Sequence, residues 1–262
     1  MAEKCKINYN TLIRKSYDYS QERQDNSPAW AVLRSLYDKN YNHSNCILER
    51  IPKKIHQVWL GSKFPDSYKI WADSWKKFNP EWEYKLWTDD NVNEVSMSDV
   101  HRRVFNHIQS MGQKSDYLRY HILNQFGGIY IDTDFECLKP FDDLLYLDFF
   151  TGVGYPKEVE LYIGLIATVP NHPIIQRLVD DIKITENGSH WKKIFNSTGA
   201  YYFTRTFLEM VNKDTEGVVA FPMGFFYPFP NNFRKKRQPY LYVKAYSYAI
   251  HHWEVSWLVK TN

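Results

Sequence analysis

Two adjacent glycines, Gly127-Gly128, separate a helical run from a β-rich run that ends in two carboxylates, and this junction constrains the fold more than any other stretch. Upstream, Lys114 to Phe126 places Leu118, Ile122 and Phe126 at intervals of four, one face of a helix that the glycines stop. Downstream, Ile129-Tyr130-Ile131-Asp132-Thr133-Asp134 reads as a strand, with Asp132 and Asp134 sharing one face. The alternation recurs on both sides. Ile55 to Gly61 reads as a first, central strand, Ser67 to Phe78 as a helix packed through Trp71, Trp75 and Phe78, Trp82 to Trp87 as a strand, and Asp99 to Ile108 as a helix. Beyond Pro140, strands are expected at Phe149 to Gly154, Tyr162 to Val169, near 217–221 and over 240–250, with helices from Pro173 to about Lys183 and from Thr198 to Val211. This order indicates an α/β fold, a sheet flanked by helices on both faces. Residues 1–50 form an N-terminal helical extension, with its helix after Ser27-Pro28, and residues 51–262 form one domain.

Composition narrows the function. Aromatic residues make up 17% of the 262 residues and the formal net charge is only +3, which excludes disorder and argues against general nucleic-acid binding. The best apolar stretch, Val218 to Phe229, is broken by Pro222 and Pro228 and is too short to span a bilayer. The first residues show no apolar leader, and Cys5, Cys46 and Cys137 lack paired metal-type spacing, so a cytoplasmic location is expected. The one dense basic run, Arg234-Lys235-Lys236-Arg237, reads first as a solvated face and second as a peripheral contact with an anionic membrane or a lipid-diphosphate acceptor.

The residues able to carry chemistry cluster at the glycine junction. Asp116 and Arg119 are three apart on the helix and share one of its faces. Asp132 and Asp134, held roughly 5 Å apart, repel by about 3 kcal/mol at an effective dielectric of about 20, so a site that keeps both ionised calls for a cation. Hard oxygen ligands suit Mg²⁺ or Mn²⁺ rather than Zn²⁺, and such an ion keeps open positions for a diphosphate.

The combined pattern Ile55-His56-x-x-Trp59, Ser115-Asp116-x-x-Arg119 and Gly127-Gly128-x-Tyr130-x-Asp132-x-Asp134 resembles that of the glycosyltransferases with a DXD-containing sugar-binding region, often called glycosyltransferase family 32. It is similar to fungal Golgi initiating mannosyltransferases, the catalytic domains of large clostridial toxins and many bacterial capsule and lipopolysaccharide transferases, over about residues 51–257. The resemblance implies a GT-A type, Rossmann-like fold and a divalent metal, Mn²⁺ or Mg²⁺. It implies Asp134 as direct metal ligand, Asp132 at the donor ribose and the metal, and Asp116 and Arg119 at hydroxyls of the transferred sugar. Val58 and Trp59 would flank the nucleobase. His251-His252-x-x-x-Ser256-Trp257 is similar to the family's closing motif, with His251, ahead of His252, completing the metal or phosphate shell, and Ser256 and Trp257 contacting phosphate oxygens. Val255 and Ala200 depart from the residues common in relatives, at the lid and at the loop bordering the acceptor.

The resulting expectation is a hexosyltransferase that uses a nucleotide diphosphate sugar, a UDP- or GDP-sugar, and a hydroxyl of a glycan or lipid-linked glycan, with retention, in capsular or lipopolysaccharide synthesis at the inner membrane face. A non-catalytic glycan-binding module is the alternative. A glycoside hydrolase is disfavoured because the two carboxylates lie too close on one strand.

Overall fold

The computed structural model describes residues 8–14, 27–42, 48–155, 159–183 and 191–254. Its strands are β1 (Lys54–Val58), β2 (Glu83–Trp87), β3 (Gly128–Ile131), β4 (Phe135–Cys137), β5 (Phe149–Tyr155), β6 (Glu160–Thr168), β7 (Val218–Phe221) and β8 (Ala249–His251). The helices are α1 (Tyr9–Arg14), α2 (Pro28–Tyr37), α3 (Lys69–Phe78), α4 (Asp99–His107), α5 (Met111–Phe126), α6 (Pro173–Asp180), α7 (Trp191–Ser197) and α8 (Ala200–Met210). Six strands form a mixed sheet in the order β2-β1-β3-β6-β5-β7, in which β6 alone runs against the others. The remaining pair, β4 and β8, makes a separate antiparallel ribbon. No described helix is long and apolar enough to cross a membrane.

The first strand lies one position in from the β2 edge rather than at the centre. The chain leaves β1 through α3 to β2 on one side and returns through α4 and α5 to β3 on the other, so the strand order reverses at β1. In α/β sheets a crevice opens beyond the carboxyl ends of the strands at such a reversal. Val58 and Ile131 close the two strands that flank it.

The glycine pair makes this approach physically accessible. Gly127 (φ 60°, ψ −154°) lies where side-chain-bearing residues are strained, and Gly128 has φ 88°. A Cβ on Gly128 would sit 2.6 Å from the Lys54 carbonyl oxygen. His56 of β1 locks the turn: its Nε2 lies 3.0 Å from the Gly127 carbonyl oxygen, while its Nδ1 accepts from the Trp87 indole at 3.2 Å. A ring that accepts at Nδ1 must carry its proton on Nε2, so His56 is neutral, and burial pushes its pKa down to about 4.

Among the boundaries that differ from the sequence reading, three shape the site and its surroundings. The long helix α5 starts at Met111, where Ser110 Oγ accepts from the Gln113 N–H. Strand β3 stops at Ile131, so Asp132 and Asp134 stand on a turn, where the Phe135 N–H donates to the Asp132 carbonyl at 3.2 Å. The strand expected over 240–250 shrinks to β8, because Pro239 opens a 3-10 turn over Pro239–Tyr242. Near the N-terminus, α2 buries Trp30, Leu33, Leu36 and Tyr37, and Tyr37 packs edge-on against Phe221 of β7 at 6.0 Å. That contact covers the sheet edge with a helix.

His56, His121 and His172 are all buried and held below their ordinary pKa by burial, to about 4, 3 and 4. The unfolded chain takes up these protons near pH 6.5 and the folded one does not, so stability is full above pH 6.5 and declines as the pH falls toward 4. Urea unfolding should show a loss of about 2 kcal/mol per buried histidine between pH 7 and pH 5. His56→Gln, although less stable at neutral pH, should lose correspondingly less on acidification; an equal loss would remove His56 from this account.

Candidate functional site

The crevice beyond β1 and β3 is walled by α5. Asp116 and Arg119 are both buried there, with Arg119 Nη2 2.7 Å from Asp116 Oδ1. Arg119 Nη1 donates to the Ile163 carbonyl at 2.6 Å and lies 3.3 Å from Asp132 Oδ1. Its guanidinium sits over the Tyr130 ring, 4.3 Å from the centroid, and the Tyr130 hydroxyl donates to Asp132 Oδ1 at 2.9 Å. Thr198 Oγ1 donates to Asp116 Oδ2 at 3.1 Å. Burial pushes the Asp116 carboxyl up to about 6; Arg119 pulls it down and Asp132 adds to the rise, leaving it ionised at neutral pH.

The two carboxylates of the turn are not equivalent. The Asp132 side chain keeps 30% of its surface exposed and Asp134 only 7%. Asp132 is fixed through its backbone, its N–H donating to the Gly164 carbonyl at 2.8 Å and its carbonyl accepting from Gln57 Nε2 at 3.3 Å. Gly164 is itself part of the wall, since a Cβ there would lie 2.8 Å from Asp132 Oδ2. Asp134 is fixed from the far end of the chain. Its Oδ1 lies 3.0 Å from His251 Nε2, its Oδ2 accepts from the Glu254 N–H at 2.8 Å, and its carbonyl accepts from the His252 N–H at 3.0 Å.

The ribbon of β4 and β8 makes this meeting, because its register opposes Phe135 to His251. The His251 ring stacks on Phe135 at 4.4 Å, and Trp253 closes on it from another side at 3.9 Å. His252 turns elsewhere: its Nε2 meets Glu136 Oε2 at 2.9 Å and its ring stacks on Trp71 at 4.7 Å.

Asp132, Asp134 and His251 each offer a ligand atom within 4.8 Å of the others. Two carboxylate oxygens and one imidazole nitrogen are a donor set that Mn²⁺ accepts. The His251 Nδ1 atom is buried with no hydrogen-bond partner among the described residues. The residues present therefore fit a divalent cation.

The structure brings together Asp116, Arg119, Asp132, Asp134 and His251, and puts Val58 and Trp59 at the end of β1 beside them. Val58 is buried, and the half-exposed Trp59 ring packs on Phe64 and Tyr68, with its indole N–H donating to Ser62 Oγ at 3.1 Å. Ser256 and Trp257 lie outside the described residues. Trp71, expected in packing alone, is half-buried and stacks on His252 at the rim. Gln57, Gly164, Trp253 and Glu136 were not singled out by sequence reasoning. Their hydrogen bonds span 24 to 116 positions, and only the letter pair Thr198-Gly199 carried a local signal for the Asp116 contact.

Residues 65–150 match the glycosyltransferase sugar-binding region containing the DXD motif. The chain is 26% identical over 198 residues to inositol phosphoceramide mannosyltransferase 1 of Schizosaccharomyces pombe, covering 71% of this chain and 60% of that protein. It is also 26% identical over 204 residues to an uncharacterized glycosyltransferase of Acanthamoeba polyphaga mimivirus, covering 75% of this chain and 80% of that one. Among solved structures, the PaToxG glycosyltransferase superposes with a TM-score of 0.51 at 20% identity, over 76% of this chain and 80% of that chain, which shows a common fold. The mixed sheet with its flanking helices is of the GT-A type, and the stretch that matches the glycosyltransferase sugar-binding region contains its DXD motif as Asp132-Thr133-Asp134.

Proposed function

We propose that this chain transfers a hexose from a nucleotide diphosphate sugar, a UDP- or GDP-sugar, to a hydroxyl of a glycan or lipid-linked glycan, with retention at the anomeric carbon. Residues 51–262 carry the activity and residues 1–50 extend it. The observation behind the reading is the convergence of Asp132, Asp134 and His251 within 4.8 Å beside the buried Asp116–Arg119 pair. Asp132, Asp134 and His251 would hold Mn²⁺ or Mg²⁺, which supplies positive charge to a departing diphosphate.

This chain's own residues do the rest. Asp116 accepts from a sugar hydroxyl and Arg119 donates to one, and both are held in place before the sugar arrives by Thr198, the Ile163 carbonyl and Tyr130. Val58 and Trp59 flank the nucleobase, and Ser256 and Trp257 contact phosphate oxygens. No side chain is assigned as nucleophile; in a same-face route the leaving phosphate takes the acceptor's proton. The names of the relatives favour mannose as the hexose and a lipid-borne acceptor, since several act on inositol phosphoceramide. A role in surface polysaccharide synthesis, in the cytoplasm and at the inner face of a membrane, places such an acceptor within reach.

Release of UDP or GDP from a panel of nucleotide sugars, followed with and without Mn²⁺, tests the reading. Asp134→Asn should lower metal-dependent release at least about 100-fold while leaving the urea midpoint close to that of the parent. A fully active variant would sink the site assignment.

A pH series gives a second check. Activity requires Asp116 ionised, and its pKa is about 6, so kcat/KM should fall about tenfold per unit below pH 6 and be flat above it on account of this group. In Asp116→Asn that acid limb should vanish, along with most of the rate. Survival of the limb would assign it to another group.

A further inference from the structure

The basic run Arg234-Lys235-Lys236-Arg237 lies at the end of a 3-10 turn, Asn231–Lys236, and all four residues are exposed. Several other surface cations find carboxylates, as Lys69 does Asp66 at 2.7 Å and Lys76 does Asp73 at 3.2 Å. None of these four forms an ion pair with a described residue. Arg237, in the left-handed conformation (φ 49°), reverses the chain into the next turn, Pro239–Tyr242. Tyr242 packs on Phe229 and Phe233 at 5.6 and 5.8 Å and fixes the two turns against each other.

A merely solvated basic face has no need of apolar neighbours, yet here Leu241 is 72% exposed and Tyr240 62%. Cations beside an aliphatic and an aromatic side chain are the combination that lipid headgroups and the acyl boundary select, whereas a nucleic-acid surface has no use for the leucine. The patch is also tied to the site. The Tyr240 hydroxyl donates to Glu136 Oε2 at 2.7 Å, and that carboxylate meets His252, the neighbour of His251, at 2.9 Å.

We propose that Arg234, Lys235, Lys236, Arg237, Tyr240 and Leu241 form a docking surface for an anionic lipid membrane, which turns the rim of the site toward that membrane. This rests on the membrane-face reading of the function and names the surface responsible for it.

Co-sedimentation of the full chain with vesicles of two parts phosphatidylcholine to one part phosphatidylglycerol tests the proposal without any turnover. The parent should bind at low salt, leave the vesicles at high salt, and ignore pure phosphatidylcholine. The combined variant R234Q, K235Q, K236Q and R237Q should bind at least about 100-fold more weakly, and L241S several-fold more weakly with its charge unchanged. Both substitute exposed side chains, and circular dichroism should match the parent. No binding by the parent, binding unchanged in the combined variant, or equal binding by L241S with capture by a soluble polyanion instead would overturn it. Nucleotide release in solution, measured alongside, separates the two readings: its absence with vesicle binding intact removes the proposed chemistry and supports the surface, and its presence without vesicle binding does the reverse.

Discussion

Arg119 is the constraint around which the site is organised. A guanidinium buried inside a protein is tolerable only when paired, and removing one partner of such a pair leaves an uncompensated charge costing about 3–5 kcal/mol. Here it serves three acceptors from three parts of the chain: Asp116 one helical turn away, Asp132 on the turn after β3, and the Ile163 carbonyl on β6. The α5 wall, the carboxylate turn and the neighbouring strand therefore cannot move independently. The same arrangement solves the problem of the carboxylates, because Asp132 faces Arg119 on one side and can share a cation with Asp134 on the other.

The second half of the site is brought in by a ribbon of only three residues on each strand. Pairing β4 with β8 carries His251 across 117 positions to Asp134, and the backbone of the next residues is spent on the same aspartate. Trp75 anchors the ribbon from α3, its indole donating to the Phe135 carbonyl at 2.9 Å. A short ribbon has little cohesion of its own. Its place is set by these anchors, which makes the far end of the chain part of the site's floor.

What could be read from the letters follows from range. The spacing of Leu118, Ile122 and Phe126, the Gly127-Gly128 stop and the apolar Ile129-Tyr130-Ile131 are local signals, and they located α5, β3 and the carboxylates between them. The turn at Asp132–Asp134 was not legible, because alternation continues through it and only the Phe135 N–H to Asp132 carbonyl bond distinguishes a turn from a longer strand. The start of α5 was missed for a related reason: Gly112 lowers local helix propensity, and the Ser110 cap outweighs it. Gln57, Gly164 and Trp253 gave no sign, because each earns its place through a partner distant in sequence. Trp71 belonged on paper to a packing stripe, and its half-exposed position turns one face of the stripe toward His252.

Register also decides which of the tandem histidines can work with the carboxylates. With Phe135 opposite His251, the His251 ring lies flat on the phenyl ring and its Nε2 points at Asp134, while the following residue leaves the strand and sends its ring to Glu136 and Trp71. A slip of one residue would exchange the faces of the two rings. It would also break the donation from the His252 N–H to the Asp134 carbonyl and that from the Glu254 N–H to its carboxylate. The bonds that hold the carboxylate in place are thus the ones that fix the register, so the position of the imidazole and the position of Asp134 are set by a single choice of pairing.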